Sequence, residues 1–418
     1  MSWRSRLRSA GVYVLPLAVI VAVMQARREL GSMDLCWPGA SAMANSAVAV
    51  IAPIYAATAA WEAGRLRRGG VDRWTFARPW YVVVLDALTV PLAGAVLALT
   101  AASLSLLPAM AGVPGAPDLR FLGVAVLVCA GFIFLGFGLG RLLMPVYAVP
   151  ISLIGTYLWL AYPISMEPLW LRHLTGNYDV ACCRFDQVPD VRALVAGALV
   201  ATAVIVTGLG LSLARRNVNA KRLTAGLVSV ALVVGGVSVV RGLSWEVAVP
   251  RPRADLVCEP AGTSGAVPRI CLWPEHVAGA DRLAKAVGPA VDRLAAAGLP
   301  RPETLTEGQP TRQEWTFSYP PEPDEVAWAI AIGLVPQDVP ECQAKGGQWF
   351  TGDMIMVLVS WLGLTGGESV QFIEERVGPE IAAKAREVMR RPASAQLRWF
   401  RENMKILDVC DVKPVDVK

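Results

Sequence analysis

Apolar runs of about 20 residues recur through residues 1–245 and constrain the fold of this 418-residue chain more than any other feature. A helix needs about 20 mainly apolar residues to cross the hydrocarbon of a bilayer. Only 17% of the residues are charged, whereas ordinary soluble domains carry about 25%. Seven runs are long enough: 9–26, 40–61, 80–103, 121–140, 143–162, 193–214 and 223–243. The sequence therefore predicts an α-helical polytopic membrane protein with about seven transmembrane helices.

Two parts of this pattern admit a second interpretation. Arg141 and a short link are all that separate 121–140 from 143–162, so these runs could form one broken, re-entrant unit. The first run follows three arginines, as a signal peptide would. It ends in Gln25-Ala-Arg-Arg with no small-residue cleavage site, which indicates a membrane anchor.

Lysine and arginine are unevenly distributed over the segments that join the runs. Cytoplasmic loops are enriched in lysine and arginine. If the N-terminus is cytoplasmic, thirteen lysine and arginine residues lie in inside segments and six lie in short outside loops. The inside set is Arg4, Arg6, Arg8, Arg65, Arg67, Arg68, Arg73, Arg78, Arg141, Arg215, Arg216, Lys221 and Arg222; the outside set is Arg27, Arg28, Arg120, Arg172, Arg184 and Arg192. The distribution predicts a multi-pass plasma-membrane protein whose residues 246–418 lie outside the cytoplasm.

The eight cysteines agree with this orientation. Cys129 lies within a run, and the other seven fall in segments predicted to be outside, where disulfides persist. Cys258 and Cys271 are thirteen residues apart across a Gly/Pro-rich turn, which predicts a hairpin disulfide. Further candidate pairs are Cys342 with Cys410, and Cys36 with Cys182 or Cys183. Sequence alone leaves the pairing open.

Residues 246–418 have mixed charge and many prolines, which predicts an extracytoplasmic, disulfide-bonded α+β domain. DLVCEP and VPRICLWPE are typical of strands, and residues 277–297 carry the apolar spacing of a helix. The apolar run 354–364 is too short to span a bilayer, so we expect a buried core helix there.

Polar and glycine residues within the spans are the next candidates. Glycines at helical spacing let helix backbones approach closely, and a hinge or substrate groove is the alternative. The set is Gly131, Gly136, Gly138 and Gly140. Asp86 is a candidate intramembrane carboxylate, because such groups are costly to desolvate. It lies six residues beyond Trp80, however, so an interfacial position would also explain it.

The catalytic motifs that we sought are missing from the sequence. It has two histidines, His173 and His276, and lacks HExxH, GxSxG and a phosphate-binding loop. We therefore expect no enzyme activity, no metal site and no cofactor. Glu275-His276 fits either a helix start or a ligand contact. The basic residues lie in short blocks beside apolar runs, which indicates topology signals and not nucleic-acid binding.

The segments AAWEAGRLRR, ARPW, GFGLGRLLMPVYAVPISL and CLWPEH resemble a group of actinobacterial multi-span proteins described as ABC-transporter-associated or permease-like. The resemblance covers most of the chain. It implies a permease half that dimerises and pairs with a cytoplasmic ATPase through its first cytoplasmic loop. The matching residues here are Glu62, Arg65, Arg67, Arg68 and Arg73. Exporter permeases of this type usually have six spans with both termini inside, whereas this chain has seven predicted spans.

Two function hypotheses follow. The first is a permease-like subunit of an ABC-type export system, dimeric and working with a separate ATPase. The second is a membrane-anchored extracytoplasmic sensor, binding or immunity module with no transport role. The arginines of the first cytoplasmic loop would contact the ATPase in the first case. In the second they would fix topology and contact anionic lipid headgroups, at about 1 kcal/mol each.

Overall fold

The computed structural model of the chain describes residues 9–28, 30, 36–70, 79–178, 182–213, 218–243, 246–259, 268–311, 314–317, 325–336 and 351–414. The chain divides into two compact units, Met1–Pro250 and Arg251–Lys418. The division falls slightly beyond the predicted boundary at 245, because residues 248–250 pair with residues 187–189 of the first unit.

The first unit is a helical bundle. Its helices are α1 (Ala10–Tyr13), α2 (Leu15–Arg27), α3 (Trp37–Ser46), α4 (Val48–Arg68), α5 (Trp80–Leu106), α6 (Leu119–Leu142), α7 (Pro145–Ala161), α8 (Val191–Ser212) and α9 (Val218–Val240). Two short 3-10 helices, Pro163–Ser165 and Leu169–Leu174, follow α7. Strands β1 (Gln187–Pro189) and β2 (Ala248–Pro250) form an antiparallel pair.

Among the described residues, six helices are long and apolar enough to cross a membrane. They correspond to the second to seventh predicted runs. The first predicted run is divided between α1 and α2, and α2 by itself has 13 residues, which is short for a span. The runs 121–140 and 143–162 form two separate helices, since Pro145 opens α7 and cannot continue α6.

Helix α6 lies at the centre of the bundle between α4 and α8. Gly136 and Gly140 of α6 face Ala56 and Ala60 of α4, so the two helices run parallel. Gly131 and Gly138 face Ala201 and Gly208 of α8, which is therefore parallel as well. These three helices end together at 68, 142 and 212 and begin together at the opposite end of the bundle.

The outer helices of the bundle expose apolar side chains. Helices α7 and α9 are the least buried of the six candidate spans. Exposed apolar residues on them include Val146, Tyr147, Ile154, Leu158, Leu223, Leu227 and Val234. This surface has the chemistry expected of a face in contact with lipid tails.

The second unit is an α+β domain. Strands β3 (Val257–Glu259), β4 (Arg269–Leu272), β5 (Thr304–Thr306) and β6 (Glu314–Thr316) form one sheet in that order. The β3–β4 pair is antiparallel and the other two pairs are parallel. The helices are α10 (Ala280–Ala296), α11 (Val326–Leu334), α12 (Gly352–Gly366), α13 (Val370–Val377), α14 (Pro379–Met389) and α15 (Ala393–Met404).

The core of this domain forms around α12. Its residues from Met354 to Gly363 are buried apart from Met356, and Trp361 is 1% exposed. The helix ends at Gly366 and is capped by Gly367, whose φ of +112° lies in the left-handed region that suits glycine. The apolar run 354–364 is thus a core helix, as its length predicted.

Candidate functional site

Glu62 is the centre of a polar cluster at the end of α4. Its side chain is buried, and its Oε1 accepts hydrogen bonds from Ser9 Oγ at 2.8 Å and Ala10 N at 3.0 Å. Its Oε2 lies 2.8 Å from Arg65 Nη2, in an i,i+3 ion pair along α4. Because Ala10 begins α1, the carboxylate satisfies an amide at a helix N-terminus, where the helix dipole favours negative charge.

Three more arginines extend this cluster. Arg67 Nη1 donates to the carbonyl oxygen of Leu142 at 3.4 Å, next to the end of α6. The guanidinium groups of Arg68 and Arg141 lie over the rings of Trp61 and Trp80, at 5.1 Å and 4.7 Å from the centroids. We call Glu62, Arg65, Arg67, Arg68 and Arg141 the basic rim. Of the loop residues predicted from the sequence, Arg73 lies outside the described residues.

The glycines of α6 serve helix contact. A Cβ on Gly131 would meet the Ala201 carbonyl oxygen at 2.9 Å, and one on Gly138 would meet that of Gly208 at 2.8 Å. The corresponding positions on Gly136 and Gly140 point at the Ala56 and Ala60 carbonyl oxygens. Each helix pair approaches at glycine because any larger residue would displace a neighbouring backbone.

Asp86 lies on α5, less than two turns from its start at Trp80. Its side chain is half-buried. Asp86 is near the end of α5 that lies at the basic rim, because the ring of Trp80, the first residue of α5, lies under the guanidinium of Arg141. The interfacial interpretation of Asp86 stays a prediction.

At the end of the bundle opposite the basic rim, the side chain of Asn45 links residues from two other segments, Phe121 and Tyr178. Its side chain donates to the Phe121 carbonyl oxygen at 3.2 Å and accepts from the Tyr178 amide at 3.0 Å. Tyr178 is buried and its hydroxyl donates to the Ala193 carbonyl oxygen at 3.0 Å. Sequence reasoning missed these residues, because a single Asn in an apolar run gives no sign of its partners.

The cysteine pairs differ in part from those predicted. Cys258 pairs with Cys271, at facing positions of β3 and β4. Cys182 pairs with its neighbour Cys183 and not with Cys36, so the predicted bond between Cys36 and Cys182 is wrong in this structure. Cys36 is a buried thiol whose sulfur lies 3.3 Å from the Cys183 carbonyl oxygen. The prediction did bring these segments together, but a nearer partner takes the bond. Cys410 is disulfide-bonded, and Cys342, its predicted partner, lies outside the described residues.

A second polar cluster lies in the C-terminal unit, where the parallel strands β4 and β5 end. Glu307 follows β5, and its carboxylate accepts from the Trp273 amide at 2.8 Å and lies 2.6 Å from His276 Nδ1. Arg251 Nη1 lies 3.1 Å from both oxygens of Glu275, and its guanidinium is 4.7 Å from the Trp273 ring centroid. We call these five residues the strand-end cluster.

The strand-end cluster is largely buried. Side-chain exposure is 4% for Glu307, 8% for Glu275 and 12% for His276. The indole Nε1 of Trp273 is buried and has no hydrogen-bond partner within the described residues. The sequence singled out Glu275 and His276, as either a helix start or a ligand contact. Glu275 forms an ion pair with Arg251, and it comes two residues before a 3-10 helix, Val277–Gly279, that leads into α10 at Ala280.

The carboxyl ends of parallel strands are the usual place for ligands in α/β sheets, because loops there converge at one edge. Sequence reasoning missed Arg251, Trp273 and Glu307. Their assignment required the parallel pairing of β4 and β5. Within the described residues, no three His, Cys, Asp or Glu side chains are grouped so that they could hold a metal ion.

Comparison with known proteins gives one match. Residues 270–410 match the model of a domain family of unknown function, DUF7224. No curated protein and no solved structure matches the chain. The family match includes Trp273, Glu275, His276 and Glu307, and it covers most of the C-terminal unit and none of the helical bundle.

Proposed function

We propose that this chain is a permease-like membrane subunit of an ABC-type export system, dimeric and driven by a separate cytoplasmic ATPase. The observation that carries the proposal is the basic rim. Glu62 joins the end of α4 to the start of α1, so the arginines that follow it lie on a fixed platform. A flexible loop would instead lose side-chain and backbone entropy on docking.

The charge of the rim suits an acidic partner. Its four arginines and one glutamate give a formal net charge of +3. Arg65 is paired with Glu62, whereas Arg67 and Arg68 are carried by the last turn of α4. Arginine suits an interface with carboxylates because its planar guanidinium can form two parallel hydrogen bonds.

Seven crossings with a cytoplasmic basic rim are part of this proposal. Residues 10–27 measure about 27 Å as a helix, at 1.5 Å per residue. Ala18, Ala22 and Ala26 are buried on one face, whereas Leu17 and Met24 are exposed on another, as expected of a helix between a bundle and lipid. Ser9 contacts Glu62 at the rim, and Cys36 contacts Cys183 at the opposite end. The chain therefore traverses the bundle between residues 9 and 36.

Affinity purification in mild detergent tests this function. We expect the wild-type chain to recover an ATPase subunit, and the double variant R67E/R68E to recover at least tenfold less. R27E/R28E is the matched control, because these two adjacent arginines end α2 at the opposite end of the bundle. A reporter at Lys418 checks that neither variant inverts the orientation. Recovery of no ATPase by the wild type, or equal loss in both variants, would refute the proposal.

The strand-end cluster favours a second candidate function, a membrane-anchored extracytoplasmic binding module. Its support is a buried group of charged and aromatic side chains in the segment that the domain family covers. Deletion of residues 251–418 distinguishes the two functions. The module hypothesis predicts that the truncated chain loses all function, whether or not it recovers an ATPase. The permease hypothesis predicts that the truncated bundle still recovers the ATPase.

A further inference from the structure

The side chain of Arg251 is enclosed within the strand-end cluster. Its Nη1 lies 3.1 Å from both carboxylate oxygens of Glu275, and its guanidinium lies 4.7 Å from the ring centroid of Trp273. Its Nε lies 3.2 Å from a carboxylate oxygen of Asp255. An aromatic face beside a carboxylate is the combination that recognises a guanidinium group. We call the ring of Trp273 and the carboxylate of Glu275 the ring–carboxylate site.

Arg251 and the site that it fills come from different segments of the C-terminal unit. Trp273 and Glu275 follow β4, at the carboxyl ends of parallel strands, where ligands usually bind. Arg251 and Asp255 lie on the segment before β3, and this segment reaches the same edge because β3 begins beside the end of β4. The family match begins at residue 270, so it includes the ring–carboxylate site but not the arginine that fills it.

The ring–carboxylate site is held in place by contacts other than those of Arg251. Glu307 accepts from the Trp273 amide and lies 2.6 Å from His276 Nδ1, so it fixes the turn that carries the ring and Glu275. Trp273 is 1% exposed, and its indole Nε1 has no hydrogen-bond acceptor within the described residues. Because a buried donor without an acceptor is costly, this indole points to an acceptor that a ligand supplies, such as a peptide carbonyl oxygen.

We propose that the ring–carboxylate site binds the guanidinium group of an arginine side chain in an extracytoplasmic peptide, and that Arg251 is its intramolecular occupant. This inference rests on the second candidate function, the extracytoplasmic binding module. The incoming guanidinium displaces Arg251, pairs with Glu275 and stacks on Trp273. Without Arg251 the carboxylates of Glu275, Glu307 and Asp255 make the site acidic, so it selects a cation. A cation stays beside the buried Glu275 throughout the exchange, which avoids an uncompensated buried charge.

Calorimetric titration of the full chain with N-acetyl-arginine amide, in nonionic detergent at constant ionic strength, tests the proposal. R251A removes the competing occupant, so we expect it to bind the probe about tenfold tighter than the wild type, or more. D255N weakens the hold on Arg251 through an exposed carboxylate, so it should bind about threefold tighter. The double variant R251A/E275Q lacks the pairing carboxylate and should not bind. The citrulline analogue of the probe, which has nearly the same shape without the charge, should not bind to any variant.

R253A is the matched control variant, because Arg253 lies on the same segment but pairs with Glu314, and it should keep the wild-type affinity. Absence of saturable binding to R251A, equal affinity in R251A and the wild type, or equal binding of the citrulline analogue would overturn the proposal. If R251A does not fold, D255N decides the question, since wild-type affinity or no binding in D255N would refute the exchange. Loss of function on deletion of residues 251–418 together with no binding of the probe would refute this site while leaving the binding-module function in place.

Discussion

Replacement of Glu62 by alanine should destabilise the bundle by about 2–4 kcal/mol. Loss of the carboxylate at the start of α1 resembles loss of a helix cap, which costs about 1 kcal/mol. Ser9 Oγ is buried and loses its acceptor, which costs about 1–3 kcal/mol. The ion pair with Arg65 contributes little, about 0–1 kcal/mol, because the Arg65 side chain is 37% exposed.

Glutamine at position 62 separates these contributions. It retains an oxygen that can accept from Ser9 and Ala10 but loses the charge, so we expect a cost of about 1 kcal/mol. Thermal unfolding in detergent at constant pH and salt measures the series. R120A is the control, since Arg120 forms an exposed helix-end pair with Asp118, and it should change stability by less than about 0.5 kcal/mol. Equal stability of E62A and wild type, or of E62A and E62Q, would show that the buried acceptor is not what stabilises this end.

Three further predictions follow from contacts elsewhere. G140A should destabilise the bundle by about 1–3 kcal/mol because its Cβ would meet the α4 backbone, whereas G123A on the same helix has open space and should be neutral; apparent melting temperatures compare them. Hydrogen bonding to Arg253 lowers the pKa of Glu314 from 4.5 to about 2, so the free energy of unfolding of the C-terminal unit should fall as pH drops from about 4.5 through about 2. The expected loss is about 1–2 kcal/mol after solvent screening of the partly exposed arginine, and it should be smaller in R253A, where only the hydrogen bonds from Thr311 still lower the pKa of Glu314. C258S should cost about 3 kcal/mol, the loop-closure value for a separation of thirteen residues, as measured by denaturant unfolding with and without reductant.

The helices were predictable because their signals are local. Six apolar runs became helices long enough to span a bilayer, and the glycine spacing in 131–140 indicated close helix contact. The core helix α12 followed from its length. In each case the deciding property, hydrophobic length or residue size, can be evaluated from consecutive residues.

The partners of polar side chains were less predictable, because they depend on which distant segments meet. The i,i+3 pair of Glu62 with Arg65 is a local contact, but the hydrogen bonds of Glu62 to Ser9 and Ala10 join residues more than fifty positions apart. For Glu275 the sequence offered a helix start or a ligand contact, whereas its ion-pair partner Arg251 lies 24 positions earlier in the chain. The strand-end cluster could not be assembled until the strand order was known.

The number of membrane spans and the side on which each terminus lies are separate questions for this chain. Contacts between residues bear on the side of each terminus more directly than hydropathy does. Hydropathy and length alone leave six or seven spans, and an error of one would reverse the side of the C-terminal unit. Ser9 contacts the basic rim, whereas β2 pairs with β1 immediately before α8 begins. Since α4, α6 and α8 are parallel and end at the rim, the start of α8 lies at the other end. The amide of Asp190 also donates to the Val247 carbonyl oxygen at 2.7 Å, so the chain leaves the bundle at that end. Reporters before Ser9 and after Lys418 should therefore lie on opposite sides of the membrane, even if residues 10–27 cross it obliquely; signals on the same side would contradict the parallel packing of the three central helices.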